Sequence, residues 1–134
     1  MIFVDTGYWI ALLDDRDELH AKALEWASRA LGPMISTELV LVETVNYLTA
    51  RMSRERLHLL LDGVMAAGIV EFMAASPERL QQGLALHRSR PDKAWSLTDC
   101  VSFVVMQERS IAEALAYDHH FQQAGFVALL RSED

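Results

Sequence analysis

The chain opens with Met1-Ile2-Phe3-Val4-Asp5-Thr6-Gly7-Tyr8: four apolar residues, then a carboxylate, a hydroxyl and a glycine. An apolar run this short, rich in β-formers, predicts a strand from Met1 to Asp5 rather than a helix. Thr6-Gly7 reads as a turn that leads into a short helix from Tyr8 to Leu13. A strand that ends in an acid and passes into a helix decides the fold if the pattern recurs.

It does recur. Asp14-Asp15-Arg16-Asp17 is a polar loop with Asp17 as a candidate N-cap, and His20, Ala23, Leu24, Ala27 and Leu31 follow at helical spacing. Gly32-Pro33 stops that helix, and Met34-Ile35 makes a second strand. Thr37 can cap a helix running to about Arg51, and Ser53 the next, whose Leu57, Leu60, Leu61, Val64 and Met65 fit a 3.6-residue period. Gly68 ends it before a third strand, Ile69 to Met73. Ser76-Pro77-Glu78 starts a helix that carries Leu80, Leu84 and His87 up to the break at Pro91. Ser96-Leu97-Thr98-Asp99 fits a capping box ahead of an almost wholly apolar helix. Ala112 to Tyr117 is a strand, His119 to Ala124 a turn of helix, and Phe126 to Leu130 the last strand. Strands separated by helices imply an α/β domain with a parallel sheet and right-handed crossovers. Ligands of such sheets gather beyond the carboxyl ends of the strands.

The 134 residues suffice for one domain, 1–134, with a sizeable core. No apolar run reaches the ~20 residues that span a bilayer, and no basic segment precedes the first apolar run, so a cytoplasmic protein without membrane contact is expected. A single cysteine, Cys100, excludes an internal disulfide and a Cys-based zinc module. The net charge of −7 argues against strong general affinity for nucleic acid. Arg51, Arg54, Arg56 and Arg88, Arg90, Lys93 offer local positive patches, although solvated helix faces would have the same composition.

Four acids stand at the ends of apolar runs or within them: Asp5, Glu43, Asp99 and Asp118. Each has an ordinary reading. Asp5 can form a turn after a strand, Asp99 is favourable at the third position of a capped helix, Asp118 can cap the next helix, and Glu43 can point outward. Their joint placement is more specific, because Asp5 and Asp118 follow strands while Glu43 and Asp99 lie on helices able to face the same rim. Carboxylates that meet repel, and some must hold a proton unless divalent cations neutralise them. That is the electrostatic arrangement of a metal-dependent phosphodiesterase. His119-His120 lacks the spacing of a metalloprotease helix and is assigned no ligand role. Neither a nucleophile elbow nor a phosphate-cradling glycine loop is present. The strand Val70-Glu71-Phe72-Met73-Ala74 ends without the acceptor aspartate that a phospho-receiver domain needs.

The stretches Val4–Leu12, Leu41–Leu48, Trp95–Phe103 and Ala114–Phe126, each built around one of these acids, resemble the PIN-domain ribonucleases, with greatest likeness to VapC-type toxins of toxin–antitoxin pairs. The likeness covers essentially the whole chain. It implies a three-layer α/β/α sandwich around a mainly parallel twisted sheet, and an endoribonuclease using Mg²⁺ or Mn²⁺. By position, Asp5, Glu43, Asp99 and Asp118 match the family's acidic quartet, and Thr6 matches a hydroxyl residue beside the first acid. Asp5 and Asp99 would bind the principal cation, Glu43 would bind it directly or through water, and Asp118 would hold a second cation or orient water. An RNA substrate, a cognate antitoxin and a homodimer are implied likewise. The chain departs from its relatives at Ala116, where a threonine is frequent two residues before the fourth acid. A housekeeping RNA-processing nuclease and an inert protein-binding module are the alternatives.

Overall fold

The computed structural model describes residues 1–29 and 31–131. Five strands, β1 (Ile2–Val4), β2 (Met34–Thr37), β3 (Val70–Met73), β4 (Glu113–Leu115) and β5 (Val127–Ala128), form one sheet in the order β3-β2-β1-β4-β5. All neighbours are parallel, with Phe3 opposite both Ile35 and Ala114. Seven helices are seen among the described residues: α1 (Thr6–Leu13), α2 (His20–Ala27), α3 (Glu38–Thr49), α4 (Arg54–Ala67), α5 (Pro77–Ser89), α6 (Leu97–Glu108) and α7 (His119–Gln123). Neighbouring helices within α1–α4 pack on one another, as do those within α5–α7, so the sheet lies between two helical layers. The chain fills β1, β2 and β3 in one direction, then returns to the other side of β1 for β4 and β5. This reversal between β1 and β4 opens a crevice at their carboxyl ends.

The core follows from the strand pattern. Phe3, Val4, Ile35, Ala114 and Leu115 are completely buried, because a sheet covered on both faces has no solvent side. Phe103 of α6 anchors an aromatic group, edge-on to Trp95 and Phe121 at 5.1 and 5.0 Å between ring centroids. Arrangements of this kind contribute about 1 kcal/mol each beyond the area they bury. A smaller cluster joins Leu13, Leu48 and Leu57 where α1, α3 and α4 meet.

Four helix starts read from the sequence are realised by side-chain bonds. The backbone N–H groups of Val40, Arg56, Arg79 and Asp99 donate to the hydroxyls of Thr37, Ser53, Ser76 and Ser96. Gly68 closes α4 with φ 66°, a left-handed conformation that costs other residues about 1 kcal/mol or more. α5 and α6 pack closely at Gly83, where an added Cβ would lie 2.5 Å from Val101 Cγ2.

Several expectations need correction. Thr6-Gly7 is the first turn of α1, not a separate turn, because Asp5 takes an extended φ/ψ of −94°, 165° and the helix starts directly from it. Asp17 does not cap α2; its carboxylate accepts the Leu19 N–H at 2.9 Å in the preceding turn. α2 ends at Ala27, so Leu31 lies beyond it, and the expected continuation runs through Ala30, outside the described residues. Leu24 is 49% exposed, Met65 47% and Leu84 51%, although each fits the apolar spacing of its helix. β5 is only two residues long and gives way to a 3₁₀ turn at Leu129–Arg131. Leu129 and Leu130 are both buried, which a helical turn allows on one side and a strand's alternation does not.

Candidate active site

Three of the four acids converge at the β1/β4 crevice because each occupies the first turn of a helix that starts there. Asp5 follows β1 and is the N-cap of α1, and its N–H donates to Leu115 O of β4 at 3.1 Å. Its side chain makes no capping bond, so the turn-forming reading does not account for it. Asp99 sits in the first turn of α6, where Oδ2 accepts the Ser96 N–H at 3.1 Å while Ser96 Oγ accepts the Asp99 N–H at 3.0 Å. This reciprocal box fixes the Asp99 carboxylate. Asp118 is the N-cap of α7, with Oδ1 accepting the His120 N–H at 3.0 Å. Glu43 projects from α3 to the lip of the same cleft and is exposed. Asp5 and Asp99 are thus buried, Asp118 is half-buried, and Glu43 takes the outward-pointing reading.

The cleft has a volume of about 480 Å³, and its lining includes all four acids together with Thr6, Tyr47, Tyr117 and His120. Asp5 records its electrostatics. Burial, then the charge of Asp99, push its carboxyl up to about 8. Glu43 and Asp118 add to the rise, and a hydrogen bond from the Thr6 backbone opposes it only partly. A metal-free Asp5 is thus largely protonated at neutral pH. Burial likewise raises the Cys100 thiol, with Asp99 contributing, so that thiol is inert rather than nucleophilic.

His120 is the site residue that the sequence did not reveal. Its Nδ1 lies 3.0 Å from Asp99 Oδ2 and 3.1 Å from Asp118 Oδ2, so one ring nitrogen serves two carboxylates. Ligand atoms of Asp118, His119 and His120 all fall within 4.8 Å of one another. Adjacent histidines looked uninformative because chain spacing conceals α6, which brings Asp99 to the ring. The only available signal was Asp118 as an N-cap, which turns the third residue of the helical start back across the cap.

Two observations make the cleft suitable for a divalent cation. Asp5 is pushed toward the neutral form by burial and then by the neighbouring carboxylates, an effect a bound cation would oppose. Thr6 Oγ1 is buried without a hydrogen-bond partner among the described residues, and it belongs to the same cleft. Carboxylate and hydroxyl oxygens suit Mg²⁺ or Mn²⁺ better than zinc. Ala116 does not line the cleft; it is fully buried, and its carbonyl accepts the Leu130 N–H at 3.1 Å.

Residues 2–127 match the family model described as "PIN domain". The chain is 36% identical to the 23S rRNA-specific endonuclease VapC20 of Mycobacterium tuberculosis, in both strain CDC 1551 / Oshkosh and strain H37Rv. Each alignment covers 95% of this chain and 96% of the relative. The crystal structure of M. tuberculosis VapC20, described as a Sarcin-Ricin loop cleaving toxin, superposes with a TM-score of 0.86 and 28% identity. That superposition covers 96% of this chain and 98% of the other.

Proposed function

Because the chain belongs to the PIN-domain family, we propose that it is an endoribonuclease toxin that hydrolyses RNA phosphodiester bonds with the help of Mg²⁺ or Mn²⁺. The observation that carries the metal requirement is the buried Asp5, driven to about 8 beside Asp99, Glu43 and Asp118. When bound, a divalent cation supplies Lewis acidity, acidifying an attacking water and neutralising charge on the scissile phosphate.

The chain's own residues have separable tasks in this proposal. Asp5 and Asp99 hold the principal cation, Asp99 with its carboxylate already fixed by the α6 capping box. Glu43, at the solvent-facing lip, reaches the same cation directly or through water. Asp118 holds a second cation or orients the attacking water, and Thr6 offers its hydroxyl beside Asp5. His120 keeps the Asp99 and Asp118 carboxylates apart from direct repulsion in the metal-free protein.

A cognate antitoxin and a homodimer complete the proposal, with the cytoplasm as the place of action. An apolar groove of about 750 Å³, bordered by Trp9, Leu12, Leu60, Val64 and Ile69, supports a protein partner, since such a surface is seldom left bare. No helix among the described residues is long and apolar enough to cross a membrane.

The test is cleavage of 23S rRNA in intact ribosomes by protein freed of any partner, with Mg²⁺ or Mn²⁺ against EDTA. Cleavage that needs the metal and disappears in Asp118→Asn is expected. Equal cleavage in EDTA, or by the variant, removes the metal mechanism.

A further inference from the structure

We propose that the acidic cleft continues into a track for single-stranded RNA, made by two tyrosine–arginine platforms, Tyr47–Arg51 and Tyr117–Arg131. The inference rests on the endoribonuclease reading and adds to it the residues that hold the substrate outside the metal site.

The two tyrosines border the acidic cleft and also a second hollow of about 490 Å³ that contains Arg16 and Arg51. With Asp17 and Leu19, which border both as well, they form the saddle between the two. Both rings are accessible, Tyr47 at 39% and Tyr117 at 45% exposure. Each carries a guanidinium on its face, with the Arg51 and Arg131 carbons 4.1 and 4.5 Å from the ring centroids. Tyr47 lies in the last turn of α3, and Arg51 follows in the turn just beyond the helix, where its N–H donates to Leu48 O at 2.9 Å. Arg131 is steered over Tyr117 by a hydrogen bond from its Nε to the Tyr117 carbonyl.

A guanidinium stacked on a tyrosine is a flat cationic surface. It can take an unstacked base on a π-face and a phosphate on its N–H edge, the two contacts that single strands offer regardless of sequence. Arg51 forms no ion pair among the described residues, and its carbonyl accepts from Arg16 Nη2 at 2.6 Å, which ties the two cations together. Arg16 in turn neutralises the buried Asp14 at 3.1 Å. Asp17 and Glu18 also border the hollow, so charge alone does not make the path attractive. With a net charge of −7 the whole molecule does not draw in RNA either. Stacking must supply much of the hold, and the tyrosines are where the structure provides it.

The experiment measures binding of a fluorescein-labelled 12-nucleotide single-stranded RNA in Mg²⁺, in an Asp5→Asn background that prevents cleavage. Tyr47→Leu and Tyr117→Leu should each weaken binding about five- to fifty-fold, and Tyr47→Phe should restore it. Arg51→Gln should lessen the slope of log affinity against log salt by about 0.7, one phosphate contact on a single strand. With Asp5 intact, the same substitutions should reduce ribosomal RNA cleavage chiefly through KM. Undiminished binding and cleavage in the leucine variants, or a phenylalanine variant as weak as the leucine one, overturns the track. Variants that keep RNA binding but escape inhibition by the antitoxin would assign the platforms to a protein and equally overturn it. Failure of wild-type protein to cleave, by contrast, sinks the nuclease reading itself.

Discussion

Replacing Asp5 by asparagine should abolish metal-dependent cleavage and yet stabilise the metal-free protein. The Asp5 carboxyl, with an unfolded value near 4, is pushed up to about 8 by burial and by Asp99. A raised acid contributes stability that is fully present below its unfolded value and is lost as pH rises toward its folded value. Four units at about 1.4 kcal/mol each set an upper limit of ~6 kcal/mol, and half-titration at either end of the range leaves ~5 kcal/mol for the loss between pH 4 and pH 8. Asparagine carries no charge at any pH and escapes that loss. At pH 8 in EDTA the variant should therefore be more stable by about 3–5 kcal/mol, a rise in Tm of roughly 10–15 °C for a domain of this size. At pH 4 the two proteins should melt together within a few degrees. Saturating Mg²⁺ should narrow the gap at pH 8 by stabilising the wild type alone, by about 3 kcal/mol at a hundredfold excess over Kd. Calorimetric scans of both proteins across this pH range, with and without Mg²⁺, measure each quantity. An Asp5→Asn protein that melts at or below wild type at pH 8 in EDTA would refute the charge argument and leave Asp5 an ordinary buried acid.

Three further outcomes are expected. Gly83→Ala should lose about 1–2 kcal/mol, since the new methyl meets Val101 Cγ2 at 2.5 Å, whereas Gly63→Ala, with nothing within 4 Å in the middle of α4, should gain about 0.5–1 kcal/mol; urea titrations compare them. Ser96→Ala should cost about 1 kcal/mol through the lost cap in a urea titration, while Mg²⁺ affinity by titration calorimetry should change little, because the Ser96 backbone N–H still holds the Asp99 carboxylate. His120→Ala should destabilise the metal-free protein by about 1–2 kcal/mol, because Asp99 and Asp118 then face each other without the shared donor; Mg²⁺ should recover most of the loss in a thermal melt.

Much of this was legible in the chain because local rules and global fold agree. Caps at Thr37, Ser53, Ser76 and Ser96 mark helix starts by chemistry confined to four residues. The alternation of short apolar runs with helical spacing gives the parallel sheet, and the sheet gives the rim on which Asp5 and Asp118 stand. What escaped depends on distant partners. His120 gains its place only because α6 delivers Asp99 to the same nitrogen. The outward Glu43 and the exposed Leu24 and Leu84 show that apolar spacing identifies a face without saying how much of it is covered. The brevity of β5 reflects an edge strand paired only to β4, whose following leucines gain more from turning inward than from extending the ladder.

The central position of β1 also bears on synthesis. Its two neighbours come from opposite parts of the chain, with Phe3 paired to Ile35 on one side and to Ala114 on the other. Closing the second pairing brings together residues about a hundred positions apart, an entropic demand that slows folding but costs little extra at equilibrium. Until β4 has left the ribosome, β1 lacks one side of its ladder, and Asp118 and His120 do not yet exist to complete the cleft. The acidic cleft is thus complete only when almost the last of the described residues is in place.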